Sequence, residues 1–468
     1  MRVFSIVLSN TLAAIGITII VPLLGVASDI YGVPQSLVMW LMTGFMLTYA
    51  SFMPVFGALS DIIGRKKTFV FANFIFAAGL LISGLSKNFV LVVIGRMIQG
   101  LGAGGILPVA NALAVEYMSD KKERALSIVN ATYGLGMILG VNLGGVLYDH
   151  LGTSSLYLTP FFISVAGAIL AILTMKETLK ETLSLKSSKK IDWLGSSFFA
   201  ASLMGFMLFM KELPETGFKA PSAISYFTLM IVSLLLFIVF EIRSKNPAVD
   251  LRTFKDPAYL SGNLTALFFG VAMFTTVTFM APFVQLLFSY DVSTSVYSID
   301  PFALAMTIAI MIGGLLSKKT DAKFTLSIGM VILGVSTLIF VHFVNSEFSF
   351  FTLSLILALG LGIPMTPMNH IVIERGGESR QGTSAAIVSI MRSIGGIIGP
   401  TIAGMIFAKT DFSSIFALDN IIESYRKIYS MAGFAAIAGL ATSLFWLCSK
   451  HNKETVSRPK KWGEEEGY

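Results

Sequence analysis

The sequence predicts an all-α integral membrane protein, on three observations. The mean hydropathy is +0.78, and over 468 residues hydrophobic types make up 54% and charged types only 13%, about half the charge of an ordinary soluble domain. Apolar runs of about 18 to 25 residues, each long enough to carry an α-helix across roughly 30 Å of hydrocarbon, recur fourteen times. Basic residues sit almost wholly in the short connections between these runs. A net charge of +7 distributed in that way orients a chain in a bilayer. It offers no clustered patch for nucleic acid.

In chain order, the first six runs cover 3–26, 36–59, 68–86, 90–114, 125–148 and 155–175. Two more cover 193–210 and 222–242, and the last six cover 258–288, 299–317, 324–344, 348–368, 383–408 and 428–449. The leading run exceeds the 7 to 15 residues of a signal-peptide core and reads as a retained span. Of the 34 basic residues, twenty-six fall in the loops on the side of Met1 and six on the other: Lys87, Lys211, Lys219, Lys409, Arg426 and Lys427. Arg96 and Arg392 lie inside runs. The positive-inside rule therefore predicts a multi-pass protein of the cell (plasma) membrane with both termini cytoplasmic.

The single cysteine, Cys448, excludes an intrachain disulfide, and the four histidines show no ligand spacing, so neither a metal nor a cofactor is expected. No GxxxxGK[ST] loop is present to bind a nucleotide. Internal repetition sets the organisation. Gly314 to Lys323 echoes Gly57 to Lys67, with Lys318 in place of Asp61, and Gly395, Gly399 and Gly404 echo Gly136, Gly140 and Gly145. Both offsets are near 257 residues, whereas six helices occupy about 175, so two helices are intercalated. The expected domains are a six-helix bundle at 1–175, a cytoplasmic linker at 176–192, two extra helices with flanking loops at 193–257, a second six-helix bundle at 258–450 and a cytoplasmic tail at 451–468.

The motifs carry a resemblance. Gly57, Leu59, Ser60, Asp61, Gly64, Arg65, Lys66 and Lys67 fit the loop signature between helices 2 and 3 of the major facilitator superfamily. Arg96-Met97-Ile98-Gln99-Gly100-Leu101-Gly102 is similar to the RxxQGxG signature of its proton-coupled members. In helix 5, Gly136, Gly140, Gly144 and Gly145 fit the antiporter signature, while Ser127 and Val141 stand where it has Gly and Pro. In helix 1, Gly16 stands where many fourteen-helix exporters carry an acid. The chain resembles the fourteen-helix drug:proton antiporter branch, which implies a major facilitator fold with 14 transmembrane helices arranged 6+2+6.

Candidate site residues follow from chemistry and from that resemblance. Gly57, Asp61, Gly64 and Arg65 form an expected conformational latch. Asp61 is placed to meet the exposed N–H groups of another helix start, expected near Phe324, and Arg65 to pair with Glu116 or Glu123. Arg96 lies deep in an apolar run, where an arginine costs about 2.5 to 3.5 kcal/mol, and Gln99 one turn on shares its face. With Asp149 and Arg392 they are the candidates for proton coupling or the cavity. Gly136, Gly140, Gly144 and Gly145 are read as packing small residues of helix 5. Asn10, Asn263, Gln285 and Asn369, with Thr366, lie on helices that line the central cavity in the family.

The expected function is not enzymatic. It is proton-coupled secondary active transport by alternating access, most simply export of hydrophobic or amphipathic compounds, by a monomer whose partners are a small-molecule substrate, protons and the lipid bilayer. Transport of a polar or anionic metabolite is the alternative, and a non-transporting membrane enzyme or sensor is a remote one.

Overall fold

The computed structural model describes residues 2–21, 23, 27–33, 35–38, 40–118, 121–175, 193–243, 251–290, 297–377, 380–408 and 417–448. The expected linker at 176–192 and the tail at 451–468 lie outside them. Every long element is helical: α1 Arg2–Thr18, α2 Trp40–Ile63, α3 Arg65–Leu85, α4 Phe89–Tyr117, α5 Lys122–Leu151, α6 Ser155–Thr174, α7 Trp193–Thr216 and α8 Pro221–Arg243. They are followed by α9 Pro257–Phe288, α10 Asp300–Lys319, α11 Ala322–Phe343, α13 Gln381–Ala408 and α14 Ala417–Cys448. Between α11 and α13 lies α12, Glu347–Arg375, which is interrupted by a turn at Ile363 and Pro364.

Twelve of these are long and apolar enough to cross a membrane, while α1 and α7 carry the shorter apolar stretches Val3–Thr18 and Ser197–Met210. In α1 the helix gives way to a turn after Thr18, although Ile19, Ile20 and Leu23 beyond it remain buried. In α7 the apolar stretch ends where Lys211 and Glu212 follow Met210. At α14 the helix begins eleven residues before the apolar run, because Glu423 pairs with Arg426 and Lys427 one turn on and carries the helix through a polar segment.

Two large apolar clusters form the interior. One draws chiefly on α1 to α6 and the other on α9 to α14. Glycine seams set the spacing within each. Along α4, an added Cβ at Gly100 would lie 2.1 Å from the Phe45 carbonyl of α2, and one at Gly102 would lie 2.4 Å from Phe76 N of α3. Backbones this close exclude any larger residue.

Outside these bundles, α7 and α8 pack as a hairpin, and α7 lies against both α2 and α13. The outer helix α8 has only 17% of its apolar window buried, and Leu229, Val232, Leu235 and Val239 point outwards. Apolar faces of that size meet lipid.

Candidate functional site

The turn between α2 and α3 depends on backbone geometry. Gly64 has φ +102°, in the region that disfavours a Cβ, and it lets α3 start one residue after α2 ends. Arg65 then lies beside the last turn of α4, donating to Glu116 Oε2 at 2.7 Å and to the Ala112 carbonyl at 3.3 Å. This ion pair lies within the first bundle.

Asp61 reaches into the second. Its Oδ1 accepts from Gly382 N at 3.0 Å, and its Oδ2 accepts from Thr383 N at 2.9 Å and from Thr383 Oγ1 at 2.9 Å. These are orphan donors in the first turn of α13, where the helix dipole adds to the attraction for an anion. The helix start that Asp61 meets is thus that of α13 and not that of α11 near Phe324. The reason is local: Asp321 already caps α11, accepting from Lys323 N at 3.0 Å. Gly57 and Gly382 allow the crossing, since a Cβ at Gly57 would lie 2.8 Å from Ala386 Cβ and one at Gly382 would lie 2.1 Å from Ser60 Oγ. Deeper in, Val115 and Leu126 of the first bundle pack on Ile373 and Ala385 of the second. Below them, Asn369 Nδ2 donates to Asn130 Oδ1 at 3.1 Å. Nearer the C-terminal end of α5, Asn142 Nδ2 donates to Asp300 Oδ1 at 3.0 Å.

Arg96 is fully buried. Its Nε donates to the Leu41 carbonyl at 2.9 Å, and its Nη1 donates to the Gly16 carbonyl at 2.7 Å and to Gln99 Oε1 at 2.8 Å. Gln99 in turn donates to Ser83 Oγ at 2.9 Å and to the Gly79 carbonyl at 3.2 Å. One guanidinium therefore ties α4 to α1 and α2, and its amide neighbour ties α4 to α3. The Arg96 guanidinium also lies 4.4 Å from the Phe45 ring centroid, a cation–π arrangement. Phe45 stacks on Tyr49 at 5.8 Å, and the Tyr49 hydroxyl is 3.1 Å from that of Tyr133.

The other buried cation is Arg392 on α13, which lies in the electrostatic neighbourhood of Tyr133 and Tyr49 and is 4% exposed. Its backbone is gripped from behind, because a Cβ at Gly270 of α9 would lie 2.1 Å from the Arg392 carbonyl oxygen. Neither tyrosine features among the sequence candidates. The available signal was position, since tyrosines of membrane helices favour the interfaces and these two sit well inside their helices.

The other candidates lie as follows. Asp149 is exposed near the C-terminal end of α5. Asn10 donates to the Val129 carbonyl at 2.7 Å and joins α1 to α5; Asn263 donates to the Tyr259 carbonyl of its own helix at 2.8 Å. Thr366 donates to the Ile310 carbonyl at 3.2 Å, and Gln285 is half-buried in α9. Added Cβ atoms at Gly136, Gly140 and Gly144 would meet Thr11 O at 2.5 Å, Thr18 Oγ1 at 2.0 Å and Ile19 O at 2.4 Å, whereas one at Gly145 would meet nothing within 4 Å. The second half repeats the pattern. Gly395 and Gly399 press on Leu267 and Val271 of α9, and Gly404 faces open space.

Two bundles facing each other across a buried polar seam, in a frame of apolar helices, define a polytopic membrane transporter. The chain belongs to the major facilitator superfamily: the profile of that family matches residues 6–400 and 265–463. It is 25% identical over 378 residues to the multidrug transporter protein MdtP of Bacillus subtilis (strain 168), covering 79% of this chain and 68% of that protein. It is 26% identical over 386 residues to the multidrug resistance protein Stp of Mycobacterium tuberculosis (strain CDC 1551 / Oshkosh), covering 81% and 70%. With the methylenomycin A resistance protein of Bacillus subtilis it shares 23% over 432 residues, covering 90% and 88%. The fold is similar to the crystal structure of the human organic anion transporter MFSD10 (TETRAN), with a TM-score of 0.66 at 15% identity over 94% of this chain and 98% of that one.

Proposed function

We propose that this chain is a proton-coupled secondary active transporter of the bacterial plasma membrane that exports hydrophobic or amphipathic compounds by alternating access. The observation that carries the reading is Asp61, a first-half carboxylate holding three donors at the start of a second-half helix. A bond of that kind stabilises the state in which the cytoplasmic side is closed, and breaking it releases one bundle to move against the other. Gly57 and Gly64 position the carboxylate, and Arg65 fixes the turn through Glu116. The similarity to two multidrug proteins and one methylenomycin A resistance protein supports export of drug-like compounds.

In this reading the chain is a monomer with fourteen transmembrane helices arranged 6+2+6, α1 and α7 included, and both termini are cytoplasmic. Protons drive it, each moving down about 2.3 kcal/mol per 100 mV of potential. Arg96 with Gln99, Arg392 and Asp149 are the groups assigned to coupling.

The test is uptake of a fluorescent amphipathic dye by inside-out vesicles at imposed pH gradients. Uptake that rises with an acid interior and is lost in Arg96→Ala is the expected result. Flux indifferent to both the gradient and Arg96→Ala, for every dye tried, refutes proton coupling.

A further inference from the structure

We infer that Arg392, Tyr49 and Tyr133 form a binding site, shared by the two bundles, for the single anionic head group of an amphipathic carboxylate. The inference rests on the transport reading above and narrows its substrate class.

Three observations carry it. The first is an unsatisfied cation: Arg392 is 4% exposed, and its Nη1 is buried with no hydrogen-bond partner. Arg96 also leaves one nitrogen, Nη2, without a partner, but its Nε and Nη1 are held by two carbonyls and an amide and it sits over an aromatic face.

The second is depth. Arg392 and Tyr133 each lie eleven residues beyond the first residue of their helices, α13 and α5, or about 16 Å along the axis at 1.5 Å per residue. That is about the middle of a ~30 Å hydrocarbon layer. Among the described residues, the acids of the fourteen helices all lie towards helix ends, among them Asp61, Glu116, Asp149, Glu241, Asp300 and Glu374. Arg392 thus occupies the mid-membrane with no described carboxylate beside it. A negative charge supplied from outside the chain offsets that imbalance.

The third is geometry. The Tyr49 and Tyr133 hydroxyls are 3.1 Å apart, so one donates to the other and one O–H remains to donate elsewhere. A guanidinium fork with a spare N–H and a phenol with a spare O–H match the two oxygens of a carboxylate. Apolar groups flank the tyrosines. Phe45 stacks on Tyr49, and Met306, Thr307 and Ile310 approach the same stretch of α5 at Gly134, within 3.7 Å of a Cβ placed there. Because the tyrosines belong to the first bundle and the arginine to the second, an occupant bridges the two moving parts.

The experiment uses the purified full-length protein in detergent and three probes on one scaffold: tritiated 2-naphthoate, with 2-naphthamide and 2-naphthylmethylammonium as competitors. Equilibrium dialysis should show saturable naphthoate binding that neither competitor displaces at equal concentration. Arg392→Gln, checked for monodispersity by size exclusion, should weaken it at least tenfold, and Arg392→Lys should restore part of the loss. If Arg392→Gln aggregates, Tyr49→Phe and Tyr133→Phe keep the rings and should each weaken naphthoate by threefold or more. Absence of naphthoate binding, equal displacement by amide or ammonium, or affinity unchanged in these variants overturns the site. The measurement is at equilibrium without a gradient, so its outcome is separate from the vesicle flux that tests proton-driven transport.

Discussion

At the scale of single residues, the carboxylate of Asp61 and two nitrogens of Arg96 are held by named partners, and the cost of removing them can be stated. Asp61→Asn keeps the shape but loses the charge, and it turns an N–H donor towards donors of α13 already present. A hydrogen bond to a charged group contributes about 1.5 to 3 kcal/mol, so the closed-cytoplasm population should fall by roughly tenfold or more. Cysteine accessibility on the cytoplasmic faces of α5 and α10 should report the rise in the open state, and unchanged populations would remove Asp61 from the latch. Arg96→Met strands the Gly16 carbonyl near the end of α1 and Gln99 Oε1, and removes the second bond to the Leu41 carbonyl, which stays within the α2 ladder. Each buried acceptor left unmade costs on the order of 1 to 3 kcal/mol, so thermal unfolding in detergent should occur several degrees lower. Partners of this kind were only partly legible in sequence. Glu116 was one of two acids named for Arg65, because the loop ends bring both near. Asp61 meets α13 rather than α11 because an N-cap three residues before Phe324 already occupies that site, a competition that composition does not reveal.

At the scale of elements, the glycine seams decide where one helix can approach another. Gly140→Leu should disrupt the α1–α5 contact, because its Cβ alone would sit 2.0 Å from Thr18 Oγ1 and 2.9 Å from the Ile15 carbonyl. Gly145→Ala, with open space around it, should leave expression and thermal stability within about 0.5 kcal/mol of the parent. Comparing the two by fluorescence-detected size exclusion separates a seam position from a neighbour that shares only its motif. Hydropathy and periodicity revealed these helices well, since an apolar run and a glycine every four residues are local signals. They set the start of α14 eleven residues too late, because Glu423 and its i+3 and i+4 cations extend a helix that a hydrophobic window does not register. The tyrosine pair was invisible for a different reason: 84 residues separate Tyr49 from Tyr133, and only packing joins them.

At the scale of the whole molecule, the repeat found in the sequence persists as matched packing. On the α5 seam against α1, Gly136, Gly140 and Gly144 are pressed and Gly145 is open, and on the α13 seam against α9 the matching Gly395 and Gly399 are pressed and Gly404 is open. The distribution of cations predicts the sidedness, and it can be checked with Cys448 replaced. A single cysteine at Lys67 should react with an impermeant maleimide only in inside-out vesicles, and one at Lys219 only in intact cells. The reverse pattern would invert the topology.

The hairpin of α7 and α8 touches both bundles. On one side Met204 and Met207 meet Met46, Leu47 and Ala50 of α2, and on the other Met210 packs with Ile397, Ile398 and Met405 of α13. Five of these side chains are thioethers, unbranched and able to re-pack without a fixed register. If the bundles rock, a rigid interlocked contact here would clamp them, whereas methionine surfaces can slip past one another. The hairpin then works as a greased bearing, and replacing its methionines with stiff β-branched residues of similar volume should slow turnover while leaving substrate affinity where it was.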